Sequence, residues 1–115
     1  MLINLIDEKF TNLGLETDGQ ISSKWTDSVK KVYESESEQE EYIEHFYEAL
    51  VSLKSTIFHE NTLKHFNIAL HDIYTLMCDF VVLPEEVPAI MRDLMYSNKS
   101  YMQIRMDLSE GKYLP

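Results

Sequence analysis

Residues 61–81 read NTLKHFNIALHDIYTLMCDFV, and this stretch decides the fold class. Leu63, Phe66, Leu70, Ile73, Met77 and Phe80 recur at steps of three and four, the period of one helical face. Ala69 and Leu76 add a second stripe beside the first. A helix that is apolar on two sides contacts more than one neighbour. Segment 61–81 therefore reads as the central helix of its domain. The following Leu83-Pro84-Glu-Glu-Val-Pro88 bends the chain, because a proline inside a helix lacks the amide and clashes with the preceding turn.

The same period extends in both directions. Downstream, a helix runs from near Pro88 to about Ser97, with Ile90, Met91, Leu94 and Met95 inward. A last helix over 99–109 is expected, with Asn98 as N-cap, Tyr101, Ile104 and Leu108 inward, and Gly111 closing it. Upstream, Ser37 and Glu40 stand three apart as a capping box. The helix they open carries Ile43, Phe46, Leu50, Leu53 and Ile57 on one stripe and extends to about Ile57. Before it, Ser22 or Ser23 caps a helix from about Lys24 to Tyr33, with Trp25, Val29 and Val32 inward. The first helix, 2–13, buries Leu2, Ile3, Ile6, Phe10 and Leu13 and ends at Gly14. Thr17-Asp18-Gly19 reads as a turn. Short connections favour antiparallel neighbours. The expectation is an all-α, single-domain bundle of five to six antiparallel helices over residues 1–115.

Composition agrees. The chain has 115 residues, of which 44% are hydrophobic and 26% charged, in the ordinary range of a globular domain. Three glycines and three prolines are too few for an all-β fold, which needs a turn every 8–12 residues or so. No apolar run reaches the roughly 18 residues of a membrane span. The N-terminus lacks a basic region and meets Asp7 and Glu8 at once, unlike a signal peptide. The lone Cys78 forms no internal disulfide, so a cytoplasmic location is expected.

Catalytic and metal chemistry find little support in the spacing. His59-Glu60 opens like a zincin motif, which needs its second histidine four residues after the first. His65 follows at six, and His71 six later again, each on a different side of a helix. Glu41 and His45 lie one turn apart, but the Glu-x-x-His spacing of a di-iron bundle is missing. His71 stands two turns from Cys78, too far for a nucleophile and its base. No glycine-rich phosphate loop occurs. No metal, no cofactor and no enzymatic activity are expected. Met91/Met95 and Met102/Met106 each lie one turn apart; they read as core filling between the last two helices, or else as an adaptable contact for a second copy or another partner. The turn at Ser97-Asn98 resembles a helix-turn-helix, but Lys99, Gln103 and Arg105 stand beside Asp107 and Glu110. The net charge of −10 opposes direct nucleic-acid binding.

That charge is concentrated. Glu34, Glu36, Glu38, Glu40, Glu41, Glu44 and Glu48 fall within fifteen residues that hold no lysine or arginine, contributing −7 of the −10. Acids in a first helical turn complement the macrodipole, which accounts for Glu38, Glu40 and Glu41. It does not account for Glu44 and Glu48, and Glu40–Glu44 and Glu44–Glu48 are repulsive pairs costing about 0.2–0.5 kcal/mol each. A solvated face remains one reading. The other is a docking face for a basic protein, formed by Glu34, Glu38, Glu41, Glu44 and Glu48 and flanked by Tyr33, Tyr42 and Tyr47, since tyrosine suits interface centres. In size, acidity and this tyrosine-flanked segment, the chain resembles bacterial immunity proteins that neutralise nuclease toxins, and phage inhibitors that imitate nucleic acid. The resemblance implies a tight one-to-one complex that occludes a basic active site. The alternative is a helical adaptor or regulatory module, homodimeric through its C-terminal Met/Tyr-rich helices.

Overall fold

A computed structural model describes residues 1–114. Six α-helices follow one another: α1 (Leu2–Asn12), α2 (Gly19–Val32), α3 (Glu36–Lys54), α4 (Glu60–Leu76), α5 (Val87–Tyr96) and α6 (Tyr101–Ser109). One 3-10 turn, Pro84–Glu86, precedes α5, and no strand occurs among the described residues. The bundle is all-α, as its periodicity predicts. No helix of the described residues is long and apolar enough to cross a membrane.

The core is organised around aromatic rings. Phe10 meets Trp25 edge-on at 5.3 Å and Tyr74 at 4.9 Å between centroids. Trp25 meets Phe46 at 5.2 Å, and Phe46 lies 6.0 Å from Tyr42. These rings come from α1, α2, α3 and α4, so one cluster ties four helices. Edge-on pairs add about 0.5–1.5 kcal/mol each beyond their burial. Helix α4 contributes Phe66, Ala69, Leu70, Ile73, Tyr74 and Leu76 to the buried set. The backbone of helix α3 lies closest to α1, α5 and the 3-10 turn, and the Trp25 ring bridges it to α2.

The helix ends depart from expectation for local reasons. Asp18 caps α2 by accepting from the Gln20 amide at 2.8 Å, so α2 starts five residues before Lys24. Ser22 is thereby placed inside the helix and buried. Ser35 rather than Ser37 caps α3, accepting from the Glu38 amide at 3.1 Å. Both serines have a glutamate three residues on, and the earlier pair is the one used. Helix α4 stops at Leu76, short of Val81, and Met77–Asp79 continue only as turns. Ser100, not Asn98, caps α6. Helix α3 ends at Lys54, short of Ile57, and Val32 is 55% exposed because Tyr33 turns inward instead. Gly14 and Gly111 close α1 and α6 as predicted, at φ +91° and +74°. Each end carries the paired bonds of a Schellman turn, Leu15 to Phe10 and Lys112 to Asp107 among them.

Two polar clusters sit within this frame. The Tyr74 hydroxyl accepts from the Asp18 amide at 3.2 Å and donates to the Asp18 carbonyl at 3.0 Å. The same hydroxyl also meets Ser22 Oγ, which donates its own hydrogen to Asp7, so the single Tyr74 hydrogen is shared between the Asp18 carbonyl and Ser22 Oγ. The second cluster holds the C-terminus. Buried Asp107 accepts from Lys99 Nζ at 2.9 Å and Gln103 Nε2 at 2.8 Å, while Asp93 accepts from Lys99 and from the Tyr113 hydroxyl.

These clusters set two expectations. Removing a buried hydroxyl that holds three partners strands them, so Tyr74→Phe is expected to lower stability by about 1–3 kcal/mol, read by urea denaturation. An unchanged midpoint would contradict it. Lys99 and then Gln103 hold the Asp107 carboxyl below its ordinary value. A carboxyl lowered in the folded state contributes stability that is complete above its unfolded value and is lost as pH falls through the folded one. Asp107→Asn is therefore expected to weaken the fold at pH 7 and to lose less stability than the parent as pH falls below about 4. Equal losses over that range would contradict it.

Candidate partner-binding face

Helix α3 has two sides. Gln39, Tyr42, Ile43, Phe46 and Leu50 are buried. The opposite side carries Glu40, Glu41 and Glu48, exposed, with half-buried Glu44 between them. The aromatic cluster fixes the rotation of the helix, and the rotation fixes which way the carboxylates point.

Sequence-predicted residues divide accordingly. Glu38 and Glu41 border a shallow groove of about 260 Å³ that Tyr33, Tyr42, His45, Leu83, Pro84 and Glu85 also line. Glu41 also borders a second hollow with Glu8, Glu40 and Glu44 on its other side. Glu48 follows Glu44 by one turn on the same ridge. No lysine or arginine lines either hollow. Glu34 is set apart. It lies off the helix end, beside a different crevice with Lys30 and Glu36.

Three of the predicted residues play other parts. Tyr42 is 4% exposed, and its hydroxyl donates to the Val82 carbonyl at 2.6 Å. It is a core residue, because one step along the helix from Ile43 still falls within the buried arc. Glu44 is paired with Lys9 at 3.1 Å. Lys9 also sits 4.8 Å over the half-buried Tyr47 ring, so Tyr47 packs beneath a cation rather than presenting its face. Tyr33 stays at the surface groove. It stacks on Tyr42 at 5.1 Å and lines the groove, and burial, then Glu85 and Glu38, raise its hydroxyl above the ordinary value.

Two acids were not found by reading along the chain. Glu8 and Glu85 reach the face only because α1 and the 3-10 turn pack on α3. Nothing local marks them. The next residue, Glu86, is buried and accepts from the Leu83 amide at 2.9 Å, so it belongs to the turn and not to the face.

The remaining candidate groups are dispersed. His45, His59, His65 and His71 are all exposed. No group of three His, Cys, Asp or Glu able to hold a metal occurs among the described residues. Cys78 is half-buried in the turn after α4, and burial raises its thiol above the ordinary value against the pull of Lys24. Such a thiol is a poor nucleophile. The two methionine pairs part company. Met91 is buried and Met95 packs on the core, whereas Met102 and Met106 are 68% and 55% exposed. Met102 and Met106 are thus not core filling, because α6 turns Ile104 and Leu108 inward.

Comparison with protein-family models, with curated proteins and with solved structures finds no match. The chemistry of the face therefore rests on its own residues.

The division between core and face is measurable. Tyr42→Phe is expected to cost about 1–3 kcal/mol by stranding a buried carbonyl. Glu41→Lys is expected to change stability by no more than about 0.5 kcal/mol, as surface substitutions do. Thermal or urea denaturation of both variants checks this. A large loss in Glu41→Lys would give the ridge a structural role instead.

Proposed function

We propose that this chain is a small acidic inhibitor of the immunity type, which docks the outward ridge of α3 on a basic, nuclease-type toxin and occludes its active site. One observation supports the reading. Carboxylates from three elements, Glu8 on α1, Glu38 and Glu41 on α3, and Glu85 in the 3-10 turn, line two hollows that meet at Glu41, and Glu48 stands two turns along α3 from Glu41. Lys9 is already committed to Glu44. Such a field steers a cationic surface into contact and suppresses acidic partners. The groove between Glu38, Glu41, Glu85 and Tyr33 suits a projecting arginine, whose guanidinium pairs with carboxylates and stacks on rings. This reading places the protein in the cytoplasm, where Cys78 stays a thiol.

The test uses the basic protein that co-purifies with the chain. Binding is measured by calorimetry at two salt concentrations, with inhibition of nucleic-acid cleavage alongside. Glu41→Lys combined with Glu48→Lys is expected to weaken binding on the order of tenfold or more and to flatten its salt dependence. Glu44 is left in place because it also holds Lys9. Unchanged affinity with an unchanged salt slope would overturn the acidic-face reading.

A second reading takes support from α6. Met102 and Met106 lie one turn apart and are both more than half exposed. Methionine pairs of this kind make adaptable contact surfaces. On this reading the chain is a helical adaptor or regulatory module that associates through its C-terminal helices, with a second copy among its partners.

A further inference from the structure

The most exposed phenylalanine in the chain lies next to an apolar hollow. Phe58, in the connection between α3 and α4, is 87% exposed. Its chain neighbour Ile57, with Leu53, Phe66, Met91, Met95 and Tyr96, lines a groove of about 130 Å³. A dry cavity of roughly 150 Å³ accommodates a benzene ring, so the groove is the size of one phenyl side chain. Arg92 stands at its edge and makes no ion pair among the described residues. Glu60, two residues beyond Phe58, makes none either.

A projection and a hollow that fit each other, on one face of one chain, meet the requirement of a two-fold interface, in which each surface contacts its own copy reciprocally. Charge agrees with shape. Glu60 stands two residues from Phe58 and Arg92 stands at the groove, so the projection carries an unpaired negative charge and the hollow an unpaired positive one. The occupant that matches both features is therefore a second copy of this chain.

We infer that the protein self-associates as a two-fold dimer in which Phe58 of each copy fills the groove between the end of α3 and α5 of the other, with Glu60 pairing Arg92 across the interface. The inference rests on the second reading above only in taking the C-terminal side of the bundle as a self-contact. It replaces Met102 and Met106 with α5 as the surface used. The ridge of α3 plays no part in it.

Sedimentation velocity over a concentration series tests it on the full chain. The parent is expected to dimerise. Phe58→Ala, a change at an exposed side chain, is expected to raise the dimer dissociation constant at least on the order of tenfold. Glu60→Arg and Arg92→Glu should each weaken the dimer, and the double exchange should restore it. A strict monomer at all concentrations overturns both this inference and self-association through α6. A dimer that ignores Phe58→Ala but dissociates on Met102→Glu with Met106→Glu overturns this surface and leaves the second reading standing. A dimer lost in both charge variants and not restored in the double exchange overturns the pairing and, with it, the stated geometry.

Discussion

The packing of Phe10, Trp25 and Phe46 against one another is the contact on which the rest of the structure depends. Phe10 and Trp25 fix the angle between α1 and α2, and Phe46 seats α3 on both. Tyr74 brings α4 to the same point and joins it to the α2 cap through Asp18. Interiors are packed to crystalline density, so rings interlocked in this way admit one rotation of each helix. Every statement about the surface follows from that rotation.

The consequence for α3 is a separation of duties along one helix. The buried arc from Gln39 to Leu50 holds the fold, and the arc opposite carries charge of which the fold uses Glu44, paired with Lys9 of α1, and Glu38 at the cap. Glu40, Glu44 and Glu48 repel one another at one-turn spacing, at about 0.2–0.5 kcal/mol per pair. Lys9 relieves one of the three. The core tolerates the remainder because burying a single large side chain contributes about 1.5–3 kcal/mol. Nothing in the packing requires the rest of the ridge to be acidic, which is why recognition is the reading it supports best.

Much of the bundle was legible in the sequence because burial repeats at 3.6 residues, and Phe66, Leu70, Ile73, Ile43, Phe46 and Ile90 keep that period without interruption. The prolines at 84 and 88 and the glycines at 14 and 111 mark breaks that only those residues explain. Caps were less legible. Asp18, Ser22 and Ser23 are all competent caps, as are Ser35 and Ser37, and the choice among them is made by the core. Asp18 is selected because Ser22, one turn inside, is needed by Asp7 and Tyr74. The acidic ridge was legible where it lies on one helix, at Glu38, Glu41 and Glu48. It was not legible at Glu8 and Glu85, which packing brings to the ridge from far along the chain. Tyr42 was misplaced because a residue at the edge of the buried arc is assigned by its neighbours, here Val82 and Tyr33.

The central claim is that one side of the molecule, and not its acidity at large, recognises a cationic surface. A titration of the isotopically labelled protein with a short oligo-arginine peptide, followed by amide chemical shifts, tests this without knowledge of the natural partner. The account predicts saturable shifts confined to the Glu38–Glu48 stretch of α3, the Pro84–Glu86 turn and the Glu8 region of α1. Shifts spread over every acidic residue in proportion to its exposure, or gathered on α5 and α6, would contradict it.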